Sequence, residues 1–310
     1  MGIASECITS DLPLRLVGGL TTGSIYALIA LGYTLVYGVL RLINFAHSEV
    51  FTAGTFGALI ALNLITGPDG GNAFHLVAAV VPAIAAGALV AVALERGAYR
   101  PLRRRGASRL SFLISAIGAS LFMQSVYLVW RGRGYEQLPE TIRIRPILEI
   151  GRVQISNVDV IVFAAMIAMV VGLDFLVQRT RIGKGIRAVA QDAETASMMG
   201  VNIDRVVTWT FIIGGSLAGV AALLWGLRFP TRFDVGFLPG IKAFTAAVLG
   251  GIGNIRGALL GGLSLGLIEN IGAGCFGDAW KDVIAFTVLV LVLMFRPTGI
   301  LGEEVAEGKA

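Results

Sequence analysis

The stretch LRLVGGLTTGSIYALIALGYTLVYGVL, from Leu14 to Leu40, carries one charge, Arg15, near its start and no other. A bilayer core needs about 20 apolar residues per helix, so this stretch is long enough to cross one. Runs of the same kind follow at 50–66, 76–94, 110–130, 158–177, 206–227, 241–253, 257–272 and 283–295. The chain reads as an all-α, polytopic membrane helix bundle with about 8–10 apolar segments, one transmembrane domain over residues 1–310.

Composition supports this reading. Of 310 residues, 55% are hydrophobic and 15% charged, and 25 Lys and Arg against 20 Asp and Glu leave a net charge of +5. Mean hydropathy is +0.79. Soluble chains average about 25% charged residues, so an ordinary soluble domain is excluded. The 41 glycines lack a three-residue period, which excludes a collagen-like chain. Cys7 and Cys275 are too few and too far apart in sequence to argue a disulfide framework. Neither receives a functional role.

Orientation follows from where Arg and Lys gather. Loop 95–109, ERGAYRPLRRRGASR, holds six Arg against one acid, whereas loop 67–75 holds no Lys or Arg. The first is expected inside and the second outside. Alternation then places 41–49, 178–205 and the C-terminal tail inside, and the N-terminus, with Glu6 and Asp11, outside. Loop 131–157, with five Arg against three acids, is an outside loop that strains the rule. No small-residue cleavage site follows the first span, so it is kept as a mature helix. No stretch between spans is long enough for a soluble domain, so any energy source resides on other chains.

Glycines and other small residues recur inside the spans, as in GGLTTGS at Gly18–Ser24 and GGSLAG at Gly214–Gly219. Such residues let helix backbones approach closely. The GG-x3-G spacing of Gly18, Gly19 and Gly23 matches that of Gly214, Gly215 and Gly219, in spans that run oppositely, a faint sign of an inverted repeat. Charge is scarce: Glu269, Lys242, Asp159 and Asp174 lie toward segment ends, and Gln124 is a mid-span polar residue suited to an interhelical hydrogen bond. A charge-coupled relay is not visible. The segment GGIGNIRG, Gly250–Gly257, reads as a tight hairpin or a re-entrant loop covered by protein.

Two polar stretches remain. In RLINFAHSE, Arg41–Glu49, the residues Asn44, His47, Ser48 and Glu49 are placed to cap helix ends at the inner face. A metal or acid–base site at His47 and Glu49 lacks a third partner, since His75 falls on the opposite side. From Lys184 to Met199, apolar Ile186, Val189, Ala190, Ala193, Ala196 and Met199 recur at three- and four-residue spacing, with Arg187, Gln191, Asp192 and Glu194 on other faces. Gly200 supplies a stop. This is a short amphipathic helix at the inner surface, shallow enough for a protein groove.

These residues carry a resemblance over nearly the whole chain. GSIYALIALGYTLVYGVLRLINFAHSE (Gly23–Glu49), RTRIGKGIRAVAQDAETASMMGVN (Arg179–Asn202), KAFTAAVLGGIGNIRGALLGG (Lys242–Gly262) and FRPTGILG (Phe295–Gly302) resemble the permease subunit of bacterial ABC importers for branched-chain amino acids, the LivH-like branch. Ser48 stands where that pattern has Gly. The resemblance implies an inner-membrane half-channel, not an enzyme. It would pair with a second permease, identical or different, bind two cytoplasmic ATPase subunits, and receive solute from a periplasmic binding protein, with membrane lipid around it and no nucleic acid partner. It implies a cytoplasmic coupling helix at about 184–200, with Arg187, Ala190, Asp192, Ala196 and Gly200 on the ATPase side. No G-x-x-x-x-G-K-[ST] phosphate loop occurs, so ATP chemistry belongs to other subunits, and no cofactor is implied on this chain. A weakly polar path suits an aliphatic amino acid, with Ser24, Tyr26, Asn44, Phe45 and Gln124 as candidate lining residues. Urea or short amides would fit a similar path, although Phe45 leans toward the amino-acid branch by resemblance. A gradient-driven carrier and a passive channel are the rival classes.

Overall fold

The structure is a computed structural model that describes residues 12–66, 71–139, 141, 144–150 and 153–302. The expectations for Glu6, Cys7, Asp11 and the tail beyond 302 lie outside these residues. In order come α1 Leu12–Leu40, α2 His47–Ile65, α3 Ala73–Leu94, α4 Arg109–Arg131, β1 Pro146–Ile150, β2 Val153–Ser156, α5 Asn157–Arg179, α6 Arg181–Gln191, α7 Ala193–Met198, α8 Ile203–Gly226, α9 Phe237–Gly250, α10 Ile255–Phe276 and α11 Lys281–Phe295. α3 runs on through a π-helical turn, Glu95–Tyr99, and a short helix, Arg100–Arg104. Seven of these helices are long and apolar enough to cross a membrane: α1 to α5, α8 and α10. The apolar α9 and α11, of 14 and 15 residues, are shorter. The all-helical bundle expected from the apolar runs is present.

Segment 131–157 departs from the expected loop, because β1 and β2 pair antiparallel there, with Leu148 opposite Ile155. The β-branched residues of PILEI and VQIS explain the pairing. A bridge between Glu136 and Thr231 ties the preceding segment to the one after α8. Cys275, at the end of α10, is disulfide-bonded, which sequence separation gave no reason to expect.

Burial grades the helices. In their most apolar windows α1 is 83% and α8 72% buried, whereas α4 and α5 are each 22% buried. α1 and α8 form the centre, and α4 and α5 turn most of their surface outward. The most extensive packing is α1 on α10, followed by α8 on α3. Exchanging α1 with α8, α2 with α9 and α3 with α10 maps each of these pairs onto the other. It also maps α2–α3 onto α9–α10, and α2–α8 onto α1–α9, all of which are packed pairs. The contact pattern is therefore that of an internal repeat.

The paired glycine spacing serves this symmetry. A Cβ at Gly23 would lie 2.9 Å from the Gly262 carbonyl oxygen of α10, and one at Gly215 would lie 2.7 Å from the Gly87 carbonyl oxygen of α3. Backbone meets backbone at both interfaces, so neither helix can yield by rotating a side chain. Gly23→Val and Gly215→Val are each expected to cost about 1–3 kcal/mol of bundle stability. Thermal unfolding in detergent would show this as lowered midpoints, and an unchanged midpoint for both would contradict the packing.

Two helices, α2 and α9, begin inside the bundle. α1 stops at Arg41, whose φ of 54° is left-handed, a conformation that ends a helix. The chain then turns back, and α2 begins with His47 stacked on Tyr33 of α1, ring centroids 4.7 Å apart. Gly32 lies eight residues before the end of α1, about 12 Å at helical rise, and a Cβ on it would collide with the His47 ring. Residues 41–46 thus climb into the bundle as non-helical backbone. α9 mirrors this from the other end, since the Gly236 N–H donates to Thr52 Oγ1 at 3.1 Å and Gly240 packs on Ser48. The N-termini of α2 and α9 meet inside the molecule, a place where only burial in protein permits irregular backbone.

The GGIGNIRG segment is a tight helical hairpin in which α9 is the short member. Gly251 and Gly253 take φ of 104° and 101°, and Asn254 Oδ1 accepts from the Arg256 and Gly257 N–H groups to start α10. FRPTGILG folds under this turn. The Ile300 and Leu301 N–H groups donate to the Leu249 and Gly250 carbonyls at 2.8 and 3.0 Å, closing the end of α9.

Candidate functional site

The break between α1 and α2 gathers polar groups that the sequence reading assigns to capping at the inner face. The structure corrects that assignment: Asn44, His47, Ser48 and Glu49 are all buried, and Ala46 at the N-cap makes no side-chain cap. Local hydropathy marks a polar turn but carries no information about its depth. Glu49 is 0% exposed. Its Oε1 accepts from Ser120 Oγ at 3.1 Å, Gln124 Nε2 at 3.0 Å and Ser48 Oγ at 3.2 Å. The Tyr127 hydroxyl donates to the Glu49 carbonyl at 3.1 Å. One carboxylate thus fastens α4 to the first turn of α2. Gln124 makes the interhelical bond expected of it, with a partner the sequence did not reveal.

Several polar atoms around the break have no hydrogen-bond partner among the described residues: Asn44 Nδ2, His47 Nε2, Glu49 Oε2 and Thr34 Oγ1. Each such buried group would cost about 1–3 kcal/mol if nothing met it, and these four polar groups gather at one place. Asn44 Oδ1 accepts from Tyr99 OH at 2.7 Å, and Phe45 lies on Phe244 of α9, centroids 5.5 Å apart. Of the candidate path residues, Asn44, Phe45 and Gln124 gather at this seam. Ser24 does not: its hydroxyl donates to its own helix, to the Leu20 carbonyl at 2.7 Å, beside the α10 interface. Tyr26, 1% exposed, is a core residue of α1.

Charge inside the bundle is also richer than the sequence reading allows. Lys242 of α9 bonds Glu269 of α10 at 2.8 Å and Asp282 of α11 at 2.6 Å, with Lys242 and Glu269 both buried. Asp159 joins Thr21 of α1 at 2.7 Å and Arg228 at 2.6 Å. Lys242, near a segment end by sequence, becomes an internal tie because α9 has only 14 residues. Buried pairs of this kind fix geometry more than they add stability. Among the described residues no group of His, Cys, Asp and Glu could hold a metal ion.

The amphipathic stretch forms an elbow rather than one helix. Asp192 is extended (φ −154°, ψ 110°), ending α6 and capping α7 by accepting from the Glu194 and Thr195 N–H groups at 2.9 and 3.2 Å. The Thr195 hydroxyl, donating at 2.6 Å, holds the Asp192 carboxyl below the usual carboxylate range. The cap therefore persists at neutral pH and is lost only as pH falls below that range. Ile186 and Val189, expected on a stripe that seats in a partner's groove, are instead buried against the bundle of this chain. Ala196 is also buried, 5% exposed, so it seats the elbow and offers no outward surface. Ala193 and Met199, of the same stripe, are exposed.

Arg187 donates to the Val177 carbonyl and pins α6 to the end of α5. The Ala190 carbonyl accepts from Arg41 Nη2 at 3.2 Å. Asp192 and Gly200 face out. So do Met198 and Met199, 78% and 81% exposed; Met199 belongs to the stripe read from the sequence, whereas Met198 was missed because one helical period was extended across the Asp192 break. The Asp-x-x-Thr spacing at 192–195 was the available signal.

Residues 15–293 match the family described as "Branched-chain amino acid transport system / permease component". The chain is 44% identical over 299 residues to the high-affinity branched-chain amino acid transport system permease protein BraD of Pseudomonas aeruginosa, covering 94% of this chain and 96% of that one. It is 40% identical over 300 residues to the LivH permease protein of Escherichia coli, with the same shares covered. A solved structure, PsaBC from Streptococcus pneumoniae in complex with Fab, is similar in fold, with TM-score 0.50, 11% identity, and 95% of this chain and 97% of that chain covered. Profile, full-length likeness and helix architecture agree, and this multi-pass membrane protein belongs to the family of branched-chain amino acid transport system permease components.

Proposed function

We propose that the chain is the membrane-spanning half of an ATP-driven importer of branched-chain amino acids in a bacterial inner membrane. Its full-length likeness to permeases named for that solute supports the reading. The Arg-rich end, with loop 95–109, the α6–α7 elbow and the C-terminus, faces the cytoplasm. Two ATPase subunits engage the elbow through Asp192, Met198, Met199 and Gly200. A second permease completes the channel, and a periplasmic binding protein delivers solute at the end that carries the β-hairpin.

The observation that carries this reading is the bond from Arg41 to the Ala190 carbonyl. It joins the elbow to the residue at which α1 breaks. Closure of the ATPases displaces the elbow, Arg41 passes the displacement to residues 41–46, and Asn44 and Phe45 move with them. The Phe45–Phe244 pair offers an apolar surface for an aliphatic side chain. Asn44 Nδ2 and His47 Nε2 offer brief hydrogen bonds to the polar end, weak enough for release.

Arg41→Ala is expected to lower uptake by the reconstituted complex roughly fivefold while ATP hydrolysis continues, the scale of one lost charge-assisted hydrogen bond. Radiolabelled leucine uptake into liposomes beside phosphate release checks this, and unchanged uptake would contradict it. Urea as a competitor in the same assay separates the two solute classes.

A further inference from the structure

We propose that the arginine-lined pocket between the end of α3 and the start of α8 binds the phosphate of an anionic phospholipid headgroup. The pocket, a cavity of about 380 Å³, is lined by Arg96, Arg100, Arg104, Arg205 and Trp209, with Asp204 at its base. Asp204 is already engaged, accepting from Arg103 at 2.5 Å and Arg104 at 2.9 Å, with Arg100 at 3.3 Å. Buried Glu95 sits behind, 3.3 Å from Arg103. Five guanidinium groups thus face two carboxylates. Arg96 and Arg205 have no ion-pair partner among the described residues and are exposed. An anion with several acceptor oxygens is the complement this surplus requires.

The surroundings identify the anion as lipid. On α3, Ala93 and Leu89 stand three and seven residues before Arg96, on the same helix face, and both are exposed, Leu89 at 70%. On α8, Trp209 stands one turn beyond Arg205 and is 40% exposed. An apolar stripe therefore runs from the pocket along the lipid-crossing part of α3, beside Trp209 of α8. Tryptophan sits at its head, the level that membrane interfaces favour. A soluble phosphate or an acidic protein loop would use the arginines and leave the stripe uncovered. A phospholipid uses both, its phosphate on Arg96 and Arg205 and its acyl chains along Leu89. Basic pockets between helices at the cytoplasmic side are suited to such headgroups. This inference does not depend on which solute the permease carries.

The test uses the full chain purified in detergent, with phosphatidylglycerol, phosphatidylcholine or inorganic phosphate added, followed by native mass spectrometry and thermal unfolding. Phosphatidylglycerol is expected to remain bound and raise the midpoint, with phosphatidylcholine and inorganic phosphate giving little. The Arg96→Gln, Arg205→Gln variant is expected to lose phosphatidylglycerol binding by roughly tenfold or more. Its unfolding in phosphatidylcholine stays unchanged, because neither side chain holds an ion pair. Equal binding of both lipids, retained binding in the variant, or a shift given by inorganic phosphate alone would each overturn the proposal. So would protection of the pocket arginines only when the ATPase subunits are added, which would assign the pocket to an acidic protein surface.

Discussion

The double substitution Met198→Glu, Met199→Glu is expected to abolish ATP-dependent uptake while leaving the helix bundle folded. Both side chains are more than three-quarters exposed, at 78% and 81%, and surface substitutions of this kind change stability by about ±0.5 kcal/mol. Covered by a partner, each would contribute about 1.5–3 kcal/mol of apolar burial, so replacing both with charge weakens docking a hundredfold or more. Asp192→Arg acts on the same elbow by removing the α7 cap, at a cost of about 1 kcal/mol, and by reversing an exposed charge. Ala196→Glu is a poor test of docking, because that side chain faces the bundle and a buried carboxylate would unseat the elbow itself. Co-purification with the ATPase subunits and uptake in liposomes report the outcome. Full uptake by the methionine variant would remove the elbow from the coupling path.

Glu49→Ala is expected to cost both stability and transport. Ser120 and Gln124 donate to Glu49 Oε1, so its loss strands two donors inside the bundle, whereas the Ser48 hydroxyl keeps the Phe45 carbonyl as its acceptor. Each stranded group costs about 1–3 kcal/mol, and of these bonds from α4 only that of Tyr127 to the residue 49 carbonyl remains. A drop in unfolding midpoint together with at least a tenfold loss of uptake would follow. Glu49→Gln keeps one acceptor oxygen in place and is expected to fall between the two. Uptake and midpoint both unchanged in Glu49→Ala would show that the seam is dispensable.

Much of this architecture is legible in the sequence because membrane spans are set by long apolar runs, a signal that survives without tertiary context. The GG-x3-G repetition at Gly18–Gly23 and Gly214–Gly219 is legible too, although only the packing of α1 on α10 and α8 on α3 gives it meaning. Depth is not legible. RLINFAHSE reads as a surface turn because a polar cluster between two apolar runs looks the same whether it lies at the interface or inside the bundle. What places Glu49 inside is its bonding to residues more than 70 positions away, which no local pattern carries. Lys242 likewise reads as terminal, because the shortness of α9 that sets its level is not visible in an apolar run. The elbow was half legible: its amphipathic period holds through Ile186 and Val189, then fails at Asp192, where a side-chain cap overrides helix propensity. Charge arithmetic on residues 131–157 drew attention from the alternating β-branched residues that pair as β1 and β2.

The account holds that this chain supplies the passage and that work reaches it through the elbow from subunits that hydrolyse ATP. Reconstitution measures this most directly: leucine accumulation in liposomes containing the permease alone under a proton or sodium gradient, set beside the assembled complex with ATP and binding protein. The account expects accumulation only in the assembled, ATP-supplied vesicles. Accumulation by the lone chain under a gradient would contradict it.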